Sequence, residues 1–114
     1  MDLKEFIEKS NRGRRFIIRP RIICNDGFTI SVQGGKFHHS TPKETSNNYL
    51  DMELAYPSEY EELIIEFAND KSNPTDTFYP YVPFHIIEKV IEKHGGINVE
   101  KQNFVKGTDL INSL

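Results

Sequence analysis

RRFIIRPRIICNDGFTISVQGGKFHHSTPK, residues 14–43, is the stretch whose reading decides the fold. Residues 14–24 and 28–33 are two β-rich runs separated by Asn25, Asp26 and Gly27. Asp-Gly between such runs is a strong hairpin signal, because tight turns need residues that tolerate positive φ. In the first run Phe16, Ile18, Pro20, Ile22 and Cys24 share one parity, and Arg15, Arg19, Arg21 and Asn25 the other, interrupted only by Ile17 and Ile23. Side chains alternate across a strand, so the pattern predicts one apolar face and one basic face. The second run repeats it, with Phe28, Ile30 and Val32 against Thr29, Ser31 and Gln33.

Working outward, residues 2–11 predict a short amphipathic helix ended by Gly13, with Leu3, Phe6 and Ile7 on one side. All five arginines (Arg12, Arg14, Arg15, Arg19 and Arg21) fall within ten residues. Beyond the hairpin, residues 49–56 predict a third strand, with Leu50, Met52, Leu54 and Tyr56 toward the core and Asp51 and Glu53 outward. If it pairs with the arginine strand, Asp51 and Glu53 neutralise Arg19 or Arg21 across the sheet. Residues 58–69 predict a helix opened by a Ser58/Glu61 capping box, with the stripe Tyr60, Leu63, Ile64, Phe67 and Ala68. A short extended run follows at 77–82. Pro80 lacks an amide donor, which assigns that run to a sheet edge or a subunit boundary. Pro83 then opens a second core helix through Phe84, Ile87, Val90 and Ile91, closed by Gly95. A strand-like 97–99 and a last helical turn from Thr108 complete the chain. The expected class is α+β: a small antiparallel sheet, built from the N-terminal hairpin and further strands, covered by two main helices and a short N-terminal one. The expected organisation is a single domain over 1–114, with the N-terminal helix at 1–13, the core at 14–97 and the tail at 98–114.

Composition narrows the function. The 114 residues are 37% hydrophobic, a lean core for which a homo-oligomer is the expected support. A net charge of −3 argues against a binder of long nucleic acid, while small anionic ligands stay open. No run approaches the roughly 18 apolar residues of a membrane span, and no signal-peptide core is seen at the start, so no membrane partner and an intracellular location are expected. Cys24, the single cysteine, cannot form an internal disulfide or build a cysteine-rich zinc site.

Chemistry-bearing residues cluster after the hairpin. Gly34, Gly35, Lys36, Phe37, His38, His39, Ser40, Thr41, Pro42 and Lys43 bring amides, hydroxyls and cations together, an inventory suited to phosphate and equally found in an ordinary loop. Adjacent His38 and His39 point opposite ways in extended chain and lack metal-ligand spacing, so no metal is expected. His39-Ser40-Thr41 fits the His-x-Thr pattern of two-histidine phosphoesterases, but that chemistry needs two copies, and neither His85 nor His94 supplies the second. Cys24 lies on the apolar parity, as a buried hydrophobe and not a thiolate. Neither a Walker loop nor a dinucleotide fingerprint is present. Non-covalent recognition remains: cations on a pyrophosphate, and aromatics among Phe37, Tyr49, Phe78, Tyr79 and Tyr81 on a base. Each aromatic taken alone also suits the sheet or an interface.

The run from Ile22 through Asn25-Asp26-Gly27-Phe28 to Ser31-Val32-Gln33, then Asn73-Pro74-Thr75-Asp76-Thr77, Tyr79, Tyr81-Val82-Pro83 and His94-Gly95-Gly96-Ile97, resembles a group of small phage and prophage proteins that includes the first-described Thoeris anti-defence family. The similarity covers residues 21–97. It implies a sponge in the cytoplasm of the infected bacterial host, not an enzyme. Such a protein binds cyclic ADP-ribose isomers (glycocyclic ADP-ribose), in some members also cyclic oligonucleotides, and holds them uncleaved without a cofactor. It also implies assembly as a homo-oligomer, dimer or hexamer, with ligand at subunit boundaries. On this reading Arg19, Arg21, Lys36 and Lys43 meet phosphates, Phe37, Tyr79 and Tyr81 stack, and Asn25, His38 and Thr41 make polar contacts. Asn25 is also what turn chemistry alone would place there. The alternatives are a protein-binding inhibitor of a host defence enzyme, using the acidic surface and the Tyr-rich edge strand, and an enzyme that degrades a cyclic nucleotide.

Overall fold

A computed structural model describes residues 1–11, 18–102 and 104. It contains helix α1 (Leu3–Ser10), strands β1 (Ile22–Ile23), β2 (Thr29–Gln33), β3 (Asp51–Ala55) and β4 (Phe78–Pro83), helix α2 (Phe84–Lys93) and a 3-10 turn at Ile65–Phe67. The strands form one antiparallel sheet in the order β1-β2-β3-β4, so the class is α+β as the sequence pattern predicts. Register follows burial. Val32 opposes Leu54, and Met52 opposes Val82, all four buried. α2 packs on β4 and α1 on α2. Leu3, Phe6 and Ile7 therefore join Ile22, Ile30, Leu54, Ile87 and Ile97 in one core. No helix among the described residues is long and apolar enough to cross a membrane.

The hairpin turn forms where Asn25-Asp26-Gly27 predicts it. Cys24 N–H donates to Phe28 O at 2.8 Å, Gly27 N–H to Cys24 O at 3.0 Å, and Asp26 Oδ1 accepts Phe28 N–H at 2.9 Å. Gly27 alone in the turn has positive φ, at 94°, a geometry that costs glycine little. Cys24 is buried, and burial first, with Asp26 second, pushes its thiol up to about 11. Asp2 caps α1, accepting Glu5 N–H at 2.9 Å. β4 lies at the sheet edge, as Pro80 requires. The opposite edge, β1, is closed by the tail. Gln102 bonds both Ile23 N–H and Arg21 O, and Asn98 N–H donates to Ile23 O.

Several expectations are corrected. The first strand is two residues long, not eleven, and residues 18–21 approach it as irregular chain. The expected faces are inverted at its entrance: Arg19 is 1% exposed and Ile18 60%. Leu50 (74%) and Tyr56 (52%) flank β3 in solvent, not in the core. Strand β3 pairs with β2 and β4, so Asp51 and Glu53 do not oppose the arginines. Residues 58–69 form turns and one 3-10 turn, not a helix. The capping box fails because its side chains are used elsewhere. Ser58 Oγ accepts Thr29 N–H at 2.9 Å, and Glu61 turns into the core. Residues 97–99 contribute one bridge, Ile97 to Cys24, and no strand. Arg12, Gly13, Arg14, Arg15, Phe16, Ile17 and the turn from Thr108 lie outside the described residues.

Candidate functional site

The loop after β2 is closed at its base by a buried arginine. Arg19 Nε donates to Ser10 Oγ at 3.0 Å, Nη1 to Gly34 O at 3.3 Å and Nη2 to Ser46 O at 3.2 Å. Its backbone is gripped by the Gln33 amide, which accepts Arg19 N–H and donates to Arg19 O. One side chain thus joins α1 to both ends of the loop. Burial lowers its pKa, and Tyr49, whose ring lies 5.6 Å below the guanidinium, partly offsets this. Tyr49 Oη also accepts Ser46 N–H and donates to Glu44 O. Gly34 is required for this closure, since a Cβ there would lie 2.5 Å from the Tyr49 ring.

Held in this way, the loop lays two histidines on Glu53 of β3. His39 Nδ1 is 2.5 Å from Oε2, His39 N–H donates to the same oxygen at 3.1 Å, and His38 Nδ1 is 3.4 Å from Oε1. Burial pushes the Glu53 carboxyl up. The hydrogen bonds from His39 and then His38 outweigh it and hold Glu53 below its ordinary 4.5. The His39 ring stacks on Phe78 (5.4 Å, 15°) and makes a T-shaped contact with Tyr81 (5.7 Å, 75°). Tyr81 adopts φ 52°, rare for a bulky residue, while its N–H donates to His39 O at 3.1 Å. Strain of this kind clusters at functional sites and persists only where its surroundings impose it. Thr41 bridges Asp51, and Lys36, Phe37 and Lys43 are exposed on the same loop.

Of the residues expected to meet ligand, the structure therefore brings His38 and Tyr81 together and adds His39, Glu53 and Phe78. Phe37 (73% exposed), Lys36, Thr41 and Lys43 share the loop. Four others have different tasks. Arg19, expected on a phosphate, is buried and uses its guanidinium on Ser10, Gly34 and Ser46. Arg21 braces the hairpin through Thr29 Oγ1, Thr29 O and Tyr56 O. Tyr79 is fully buried and donates to Pro74 O, so it presents no face for stacking. Asn25 docks the turn on the end of α2, through Gly96 O at 2.9 Å and Gly95 O at 2.6 Å. Among the described residues no group of three or more His, Cys, Asp or Glu is placed to hold a metal.

A second histidine cluster escaped the sequence reading altogether. His94, 6% exposed, lies between two carboxylates, with Nδ1 2.6 Å from Asp26 Oδ2 and Nε2 2.7 Å from Glu61 Oε1. Phe28 stacks on it at 3.9 Å. Glu61, 1% exposed, also accepts from Lys93 at 3.1 Å and from Leu63 N–H at 2.9 Å. With both ring nitrogens bonded to carboxylates this imidazole is doubly protonated. Burial opposes that charge, but the bonds to Asp26 and Glu61 prevail and raise its pKa. Neither nitrogen is left for a reacting group, so the cluster fastens the hairpin turn and the 58–64 segment to α2.

Comparison with protein-family models, with curated proteins and with solved structures finds no match for this chain.

Proposed function

We propose that this protein captures a cyclic ADP-ribose-type nucleotide, glycocyclic ADP-ribose in particular, and holds it uncleaved, acting as a phage anti-defence sponge against Thoeris immunity in the cytoplasm of the infected host. The observation that carries the reading is the clamped loop. Arg19 and Tyr49 pre-form it, and on it His39 lies against the aromatic surface of Phe78 and Tyr81. Preorganisation lowers the ordering cost of binding, which suits tight capture and slow release. Aromatic faces stack on a base, contributing about 1 to 3 kcal/mol. Lys36 and Lys43 of the same loop serve the pyrophosphate by charge-assisted hydrogen bonds. The motif resemblance over residues 21–97 supports the same ligand class, extends it to cyclic oligonucleotides and adds self-assembly into a homo-oligomer.

Incubation with cyclic and glycocyclic ADP-ribose, removal of unbound compound, heat denaturation and chromatography test the reading. The expected result is release of unaltered nucleotide in amounts comparable to the protein. Altered nucleotide would replace the sponge with an enzyme. No retention would leave the inhibitor of a defence protein, a reading favoured by the apolar side chains of Leu50 and Tyr60 in solvent.

A further inference from the structure

We propose that the Glu53–His39 pair makes the loop site selective for a purine that carries an amino group at C6, so that adenine is held in preference to hypoxanthine. The inference rests on nucleotide capture at this face and adds which edge of the base is read. An ionised carboxylate can only accept hydrogen bonds. The 2.5 Å contact to Glu53 Oε2 therefore fixes the shared proton on His39 Nδ1. In a neutral imidazole the other nitrogen is then an acceptor. No described residue bonds His39 Nε2, and the side chain keeps 46% exposure, which leaves that nitrogen for a ligand. His38 does not duplicate this, because its side chain is only 14% exposed and contacts Glu53 at 3.4 Å, backing the carboxylate from the other side.

The surroundings fix the ring in place. Phe78 stacks on the ring, Tyr81 meets it in a T-shaped contact, and the His39 backbone is tied at both N–H and C=O, to Glu53 and to Tyr81. An oriented acceptor next to aromatic surface discriminates sharply between an amino and an oxo group. The amino group of adenine donates to it, whereas the C6 carbonyl of hypoxanthine leaves two acceptors facing each other, and where N1 carries the second glycosidic bond no N1–H is present to donate instead.

Binding is to be measured by calorimetry at about pH 8.5, the pH at which the ring 15N shifts of His39 are also recorded. The probes are two matched pairs in which N1 is substituted: cyclic ADP-ribose with N1-linked cyclic inosine diphosphate ribose, and 1-methyl-ADP with 1-methyl-IDP. The expected result is a preference of about tenfold or more for the adenine member, the size of one well-made hydrogen bond. His39→Asn keeps an amide near the Nδ1 position but lacks Nε2, and should bring both members to equal affinity without loss of fold by circular dichroism. Glu53→Gln, which no longer fixes the tautomer, should narrow the preference. Ring 15N shifts of His39 in the wild-type protein should show Nδ1 protonated. Equal affinity, or a hypoxanthine preference, in a protein that still captures the cyclic compound overturns the inference and leaves the sponge standing. Adenine preference within the 1-methyl diphosphate pair but no capture of either cyclic compound keeps the inference and removes the sponge. No binding of any probe removes both.

Discussion

Two histidine–carboxylate clusters sit at different places in this fold, and the contrast between them separates function from architecture. At His94 both ring nitrogens are bonded to carboxylates, Glu61 is 1% exposed, and Phe28 lies against the ring. At His39 one nitrogen is bonded and the side chain is 46% exposed. A charge that is buried and fully paired fastens segments together, and removing one partner leaves the other uncompensated. A ring held by one nitrogen keeps the second for something outside the protein. The same pair of residue types thus makes a lock in one place and a reading head in the other.

The largest effect should come from breaking the lock. Glu61→Ala leaves His94 and Lys93 without their buried acceptor, and should cost about 3 to 5 kcal/mol in denaturant unfolding. A loss below about 1 kcal/mol would show that the cluster fastens nothing. Next, Arg19→Lys removes the fork that reaches Ser10, Gly34 and Ser46 at once. We expect about 2 kcal/mol of destabilisation, with faster amide exchange across residues 35–46 than elsewhere.

The pH dependence has two arms, and their signs follow from the shifts. His94 is raised above its ordinary 6.5, so its contribution is complete below that value and is lost as pH rises through the folded-state pKa. Glu61 and Asp26 are lowered from 4.5 and 3.8, so theirs is complete above those values and is lost as pH falls. Stability from this cluster should therefore be greatest between about 4.5 and 6.5. His94→Gln should flatten the alkaline arm of a melting-temperature profile. The smallest effect belongs to the other cluster: His39→Asn should change stability by less than about 0.5 kcal/mol, because it acts at a half-exposed position. A loss as large as that of Glu61→Ala would make the two clusters equivalent and end the distinction.

Local signals were legible where local chemistry decides. The Asn25-Asp26-Gly27 turn, the alternation of β2, the apolar side of α1 and the stripe of α2 all appear in the structure. The Ser58/Glu61 pair shows where that ends. Its spacing suits a capping box, but pairing a buried carboxylate with His94 outweighs a cap worth about 1 kcal/mol. Arg19 misled for a related reason, since period-2 alternation assumes a regular strand and residues 18–21 are irregular. One signal for the lock was present: Asp26, Glu61 and His94 are all ionisable and flank apolar runs. Their separations of 33 and 68 positions carry no local pattern.

By itself, then, the sequence determined the α+β class, the hairpin turn, the apolar faces of the two helices and the loop that carries His38 and His39. These depend on backbone preferences and side-chain periods over a few residues. Only the tertiary structure decided that Arg19 is an internal clamp, that Tyr79 is core, that Glu53 serves two histidines and that His94 is locked. Each of these follows from burial, and burial pairs a charge with whichever partner the fold brings within about 3 Å, however distant in the chain.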